Sequence, residues 1–206
     1  SEDAKERGRT TTLSATQVAQ AFKLVASAKP DLLANKEALA AVTREAITLA
    51  EASGSTVPEA AATLGNSLNQ FGADAEEAGR FINVLAAGSK LGASEIAATS
   101  LALRDSGTVA KLAGVSFEGL NASIQALSTR GVTGSKAGVA LRTIFLRLQQ
   151  QTDKGLNPAI VGLNKALENL KAKNLDGAGA AKLFGTEMSG SALALIEQAE
   201  GVAILT

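Results

Sequence analysis

From Ser14 to Glu200 the chain repeats one pattern: apolar side chains recur at intervals of three and four, and a glycine or proline closes each run. Ala78, Phe81, Ile82 and Leu85 stand at i, i+3, i+4 and i+7 before Gly88; Phe117, Leu120, Ile124 and Leu127 precede Gly131. A period of about 3.6 puts such residues on one face of an α-helix, whereas a half-buried strand needs strict alternation. No segment alternates in that way against a β-branched background, so no sheet is predicted. Alanine (41) and leucine (27) make about a third of the 206 residues, while aromatics are 3%, a bias toward helices that meet through thin, small-residue faces. The expected fold is all-α: a compact multi-helix bundle or a short array of antiparallel helix hairpins, because loops of about two to six residues turn each helix back on the last.

Helix ends are marked by residues that satisfy backbone groups left over at a terminus. Ser14 with Gln17, Thr56 with Glu59 and Asp74 with Glu77 all have capping-box spacing, Leu13 and Val18 occupy staple positions, and Pro30 bars continuation past Lys29. Further helices are expected from Asn35 to Ala52, from Ser94 to about Arg104 with a short turn over 109–113, and from Ser116 to Gly131. The strongest amphipathic segment runs from Ser135 to about Gln151, with Leu141, Ile144, Phe145 and Leu148 inward. Asn157 and Pro158 open a helix whose Ile160, Leu163, Leu167 and Leu170 suit a helix–helix seam, Asp176 or the glycines after it lead into a short one ending at Gly185, and a last runs from Ser189 to Glu200.

Ser1 to Thr12 are charged and polar, lack the apolar stretch of a secretory signal and read as a loose tail or linker; a chain beginning at Ser1 reads as a fragment or processed product. Residues 13–206 read as one helical core domain, or as two lobes, 13–107 and 108–206. No apolar run approaches the roughly 20 residues of a membrane span, so no stable span is expected. At an offset of 59, Glu59, Leu68, Gly72, Ala78 and Gly79 match Glu118, Leu127, Gly131, Ala137 and Gly138, either an old helix-hairpin duplication or a chance alignment of Ala-rich helices.

Composition narrows the chemistry. Without His, Cys, Trp or Tyr the chain has no imidazole base, thiolate nucleophile, Cys/His zinc site or disulfide. Paired carboxylates remain, yet Glu59, Glu76, Glu77, Glu95 and Glu118 all fall in first helical turns, where the helix dipole favours negative charge. The run Gly131-Val132-Thr133-Gly134-Ser135-Lys136 imitates a phosphate-binding loop, but Ser precedes Lys and a helix, not a strand, leads into it; it reads as a turn and helix cap. No catalytic, cofactor-binding or metal-binding residue is named, no cofactor is expected, and the chain is not read as an enzyme. Gly88 with Gly92 and Gly134 with Gly138 have the spacing that lets helix backbones approach closely. Basic and acidic residues balance at 20 each, so no global charge draws a nucleic acid, and no aromatic ring accompanies the basic helix for base stacking. Locally the balance breaks: residues 51–79 carry five acids and no base, and 130–154 carry five bases against Asp153. Such patches face each other within one molecule, are simply solvated faces, or dock between molecules.

The ordered segments carry a resemblance. Leu64-Gly65, Leu68-Asn69-Gln70-Phe71-Gly72, Glu77-Ala78, the block Asn83 to Ala87 and Gly114-Val115-Ser116 with Glu118 come first. Gly131 to Ser135, Ala137-Gly138, Ala140 to Thr143, Arg147-Leu148, then Leu183 to Glu187 and Ala192-Leu193 follow in order. From about Leu32 onward this run resembles the core region of phage tail tape measure proteins of the TP901 type. The resemblance implies a structural protein of the virion tail that acts in tail assembly and tail-length determination and leaves ahead of the DNA at ejection. It implies association with tail tube, distal tail or baseplate hub and assembly chaperones, self-association, and passage from host cytoplasm to tail and, on infection, to the host envelope. The family's long coiled-coil measuring region and membrane-inserting segments are not recognised in these residues. The alternatives are a membrane- or cell-wall-active segment released at ejection, and a generic helical adaptor.

Overall fold

In the computed structural model, Ser14 Oγ accepts from the Gln17 N–H at 3.3 Å while the Ser14 N–H donates to Gln17 Oε1 at 2.9 Å, the capping box that opens α1, Ala15–Ala28. The structure describes residues 14–91 and 94–205; the tail read over Ser1 to Thr12, the staple residue Leu13 and Gly92 lie outside the described residues. Among the described residues there are twelve α-helices and three short 3-10 turns, with no strand. Contacts divide the chain into two compact units, residues 1–90 and 91–206.

In the first unit α1 is followed by a 3-10 turn, Pro30–Ala34, then α2, Lys36–Ser53, and α3, Val57–Phe71. A second turn, Ala75–Glu77, leads into α4, Ala78–Leu91. Thr56 and Glu59 form the expected box at the start of α3, and Gly72 ends it in the left-handed region at φ 62°, with the Ala73 N–H donating back to the Leu68 carbonyl. The packing of α1 on α3 is intimate because Gly65 has no side chain: a Cβ there would stand 2.7 Å from the Ala28 Cβ. Val18 and Val25 of α1, Val42 and Leu49 of α2, Leu64 and Leu68 of α3 and Phe81 and Leu85 of α4 are buried. The rings of Phe71 and Phe81 meet edge to face at 6.1 Å, the arrangement their quadrupoles favour.

The second unit contains α5, Ile96–Leu112; α6, Phe117–Ser128; α7, Gly134–Gln149; a 3-10 turn, Lys154–Leu156; α8, Pro158–Val161; α9, Leu163–Ala172; α10, Gly177–Phe184; α11, Ser189–Glu197; and α12, Ala199–Leu205. Its hub is α6, buried at every position but Glu118 and packed by α5, α7, α11 and α12. In a helix buried nearly all round, two hydroxyls find their partners locally: Ser123 and Ser128 donate to carbonyls four residues back. Gln125 does so at longer range, its Oε1 accepting from the Ser94 N–H at 3.0 Å and its amide donating to Thr99 Oγ1 at 3.4 Å. The Ser94–Gln125 bond joins the start of α5 to the end of α6, so consecutive helices run antiparallel, as short loops demand. Non-consecutive α5 and α7 therefore run parallel, with Ala102 against Gly138 and Leu112 tied to Gln149.

Several expected boundaries are corrected. The turn expected over 109–113 is helical to Leu112; Gly107 is buried inside the same helix, so tertiary packing overrides its weak propensity. Gly88 does not end α4, which continues to Leu91. The helix expected through Ile160 and Leu170 is broken at Gly162, at φ 79° and ψ 157°, so Ile160 is 57% exposed and only Leu163, Leu167 and Leu170 form the buried seam. The last helix is likewise divided at Gln198 into α11 and α12. Over the echo at offset 59, Gly72 and Gly131 both follow helices with positive φ, and Leu68 and Leu127 are both fully buried.

Candidate interaction surface

The carboxylates that composition left as chemical candidates sit in capping positions. Glu59 accepts from the Thr56 N–H at 3.1 Å, and Glu77 accepts from the Asp74 N–H at 3.2 Å and pairs with Arg80 at 2.8 Å. Glu95 is the N-cap residue of α5, and Glu118 lies in the first turn of α6. Among the described residues no group of three or more His, Cys, Asp or Glu could hold a metal ion, and no helix is long and apolar enough to cross a membrane.

The glycine-rich run over 131–136 joins α6 to α7. Gly131 and Gly134 take positive φ, Thr133 is the N-cap, and Ser135 Oγ accepts from the Arg104 guanidinium at 3.2 Å. Ser135 and Arg104 are part of a polar rim along the α5–α7 seam whose centre is Asp105, 3.0 Å from Arg104 Nε. The Arg104 hydrogen bond, above all, holds the Asp105 carboxyl below its usual range; the Ser135 hydroxyl and the charges of Arg104 and Arg142 act in the same direction, and partial burial opposes them. Beneath this rim Gly138 meets Ala102 so closely that a Cβ would lie 2.6 Å from the Ala102 carbonyl oxygen. The close approach foreseen at Gly134 and Gly138 is thus made mainly by Gly138.

α7 has two faces. Leu141, Ile144, Phe145 and Leu148 point into the core, as the periodicity predicted. Its outer face carries exposed Lys136, Arg142 and Arg147, half-buried Val139, and Leu146 at 38% exposure. Beside the first turns of α7 a cleft of about 430 Å³ opens between Val132, Val139 and Ala140 on one side and Glu187, Met188 and Ser191 on the other. Leu112, at 69% exposure, and Ile160 add apolar surface where α5, α7 and α8 end near one another: the Leu112 carbonyl accepts from Gln149, and Gly114 abuts Ala159. Sequence periodicity gave no sign of the cleft, because Met188 lies in the turn before α11 and Glu187 belongs to no stripe.

Of the two charged patches, the basic one finds partners inside its own unit: Arg130 pairs with Glu197 at 3.0 Å, and Arg142 acts on Asp105. Asp153, the acid in that stretch, pairs with Lys173 at 3.0 Å. In the acidic stretch Glu77 is bound to Arg80. The Arg130–Glu197, Lys173–Asp153 and Arg80–Glu77 pairs are exposed, so each contributes little to stability.

Comparison with known proteins agrees with the resemblance seen in the sequence. A family model described as phage-related minor tail protein matches residues 1–202. A probable tape measure protein of Escherichia phage P2 is 31% identical over 176 residues, which is 85% of this chain and 20% of the relative. A tape measure protein of Pneumococcus phage Dp-1 is 30% identical over 145 residues, 70% of this chain and 12% of the relative. The chain therefore spans a fifth or less of the length of these relatives. No solved structure matches it. With a family model over nearly its full length and tape measure proteins among its relatives, the chain belongs to the phage-related minor tail protein family.

Proposed function

We propose that this chain is a helical assembly segment of a phage tail tape measure protein, acting in tail assembly and tail-length determination and leaving the tail at genome ejection. The observation that carries this reading is identity to tape measure proteins over most of the chain. The physics fits: the two units contain small-residue helix seams, and α7 presents a basic and partly apolar face outward. On this reading the segment works by packing and not by catalysis. Its partners are tail tube, distal tail or baseplate hub proteins and assembly chaperones, in the host cytoplasm during assembly and in the virion tail afterwards.

The test is size-exclusion chromatography with light scattering of the 206-residue chain mixed in turn with tail tube, distal tail and chaperone proteins of the phage that encodes it. Co-elution with at least one of them at micromolar concentration is expected. Elution apart from all of them would overturn the reading.

A further inference from the structure

We propose that the open side of the α5–α7 seam seats an acidic amphipathic helix of another protein. The two helices run side by side in a register fixed at three points. Leu101 lies beside Gly134, where an added Cβ would meet its Cδ1 at 3.7 Å, Asp105 abuts Gly138, and the Leu112 carbonyl accepts from Gln149 at 3.2 Å. Along the open edge α5 turns out Leu101, Thr108 and Leu112, and α7 turns out Arg142, Leu146 and Gln149, all exposed. Spacings of three, four and seven keep each set on one side of its helix. Leu101 and Leu112 stand about 16 Å apart along the axis, three turns, and Leu146 lies one turn before Gln149, toward the Leu112 end. The seat therefore offers apolar anchors at both ends of a three-turn trough.

Shape selects a helix as the occupant. A trough between two parallel helices takes the side-chain ridges of a third. The backbone groups along α5 and α7 are spent within those helices, so an extended peptide finds no main-chain partner there, whereas a helix satisfies its own. Charge selects an acidic one. α5 and α7 together carry five cations, Arg104, Lys111, Lys136, Arg142 and Arg147, against the single acid Asp105, which Arg104 already holds at 3.0 Å. Lys111 on one flank of the trough and Arg142 on the other are exposed, and neither has an acid of the described residues within 4 Å. A basic helix, or a second copy presenting this same face, would be repelled. The fitting partner carries leucines at i, i+4, i+7 and i+11 with glutamates on both sides of that stripe. The inference rests on the packing role proposed above and adds the chemistry of the partner.

Fluorescence anisotropy with a labelled synthetic peptide of that pattern, stapled in helical form so that binding need not order it, tests the seat without any phage partner. The 206-residue chain should bind it with a dissociation constant of roughly 100 µM or tighter, and more weakly as added salt shortens the Debye length. A peptide with lysine for every glutamate, and one with the same residues in scrambled order, should each bind roughly tenfold more weakly. Leu112→Ser/Leu146→Ser and, separately, Lys111→Glu/Arg142→Glu should each lose roughly tenfold with helical circular dichroism unchanged. If the double leucine change disturbs the fold, Leu112→Ser alone, at a largely exposed side chain, should still weaken binding. No binding of the acidic peptide, equal binding of the lysine peptide, or binding untouched by the variants would overturn the proposal. So would anionic phospholipid vesicles that displace the peptide, or light scattering that shows copies of the chain associating through Leu112, since a membrane or a second copy would then be the occupant. A chain that ignores the peptide yet co-elutes with a tail protein would strike this inference and leave the assembly role standing.

Discussion

Replacing Gly138 by Ala puts one methyl group into the tightest described approach between α5 and α7. The new Cβ would stand 2.6 Å from the Ala102 carbonyl oxygen, 2.8 Å from the Asp105 Cβ and 2.9 Å from the Ala102 Cα. Two of these are backbone atoms and the third is fixed to one, so no side-chain rotation relieves the overlap. Ordinary contact begins near 3.4 Å, so the two helices must part by about 0.8 Å. A gap of that size forfeits a quarter to a half of the dispersion well along the seam, which puts the cost near the upper end of overpacking, about 3 kcal/mol. Against this, Gly→Ala in a helix interior gains about 1 kcal/mol. The net expectation is a loss of about 2 kcal/mol. Gly79→Ala is the control: it lies in α4 with nothing within 4 Å of the added Cβ, and should gain about 0.5 kcal/mol. Urea unfolding followed by circular dichroism on the three proteins reads both. A Gly138→Ala protein as stable as wild type, or more so, would refute the close-packing argument.

Three further outcomes follow from the same packing. Phe145→Ala, at a fully buried position on the inner face of α7, should cost about 3–5 kcal/mol in urea titration. Gln125→Leu keeps the volume but leaves the Ser94 N–H without its acceptor and removes the amide that donates to Thr99 Oγ1, which keeps its own bond to Ser94 Oγ; it should cost about 1–3 kcal/mol, and a neutral result in urea titration would contradict that. Asp105 is held below its ordinary value of 3.8, so its contribution is complete above that value and disappears as pH falls through the lower folded one. The stability gap between wild type and Asp105→Asn should therefore be larger at about pH 7 than at about pH 2, and a gap independent of pH would contradict the assignment to Arg104 and its neighbours.

Local chemistry was legible in the sequence and long-range packing was not. The capping boxes at Ser14, Thr56 and Asp74 are hydrogen bonds across three residues, so spacing alone reveals them. The buried stripe of α7 follows from helical period for the same reason. The turn expected over 109–113 misled because the packing that keeps α5 helical to Leu112 is made with neighbours distant in sequence, and Ile160 misled because the break at Gly162 depends on one backbone torsion that periodicity does not register. The Ser94–Thr99–Gln125 cluster links residues about thirty apart, and no short-range rule points to it. The outer surface of α7 was half visible: its run of cations was plain, while the cleft beside Met188 forms only when α7 and the start of α11 come together.

The central claim is that these two helical units build the tail. Electron microscopy of lysates from the encoding phage, carrying an in-frame deletion of residues 14–205, tests it most directly. The account predicts that complete tails of normal length vanish while head assembly continues. Normal tails in normal number would contradict it.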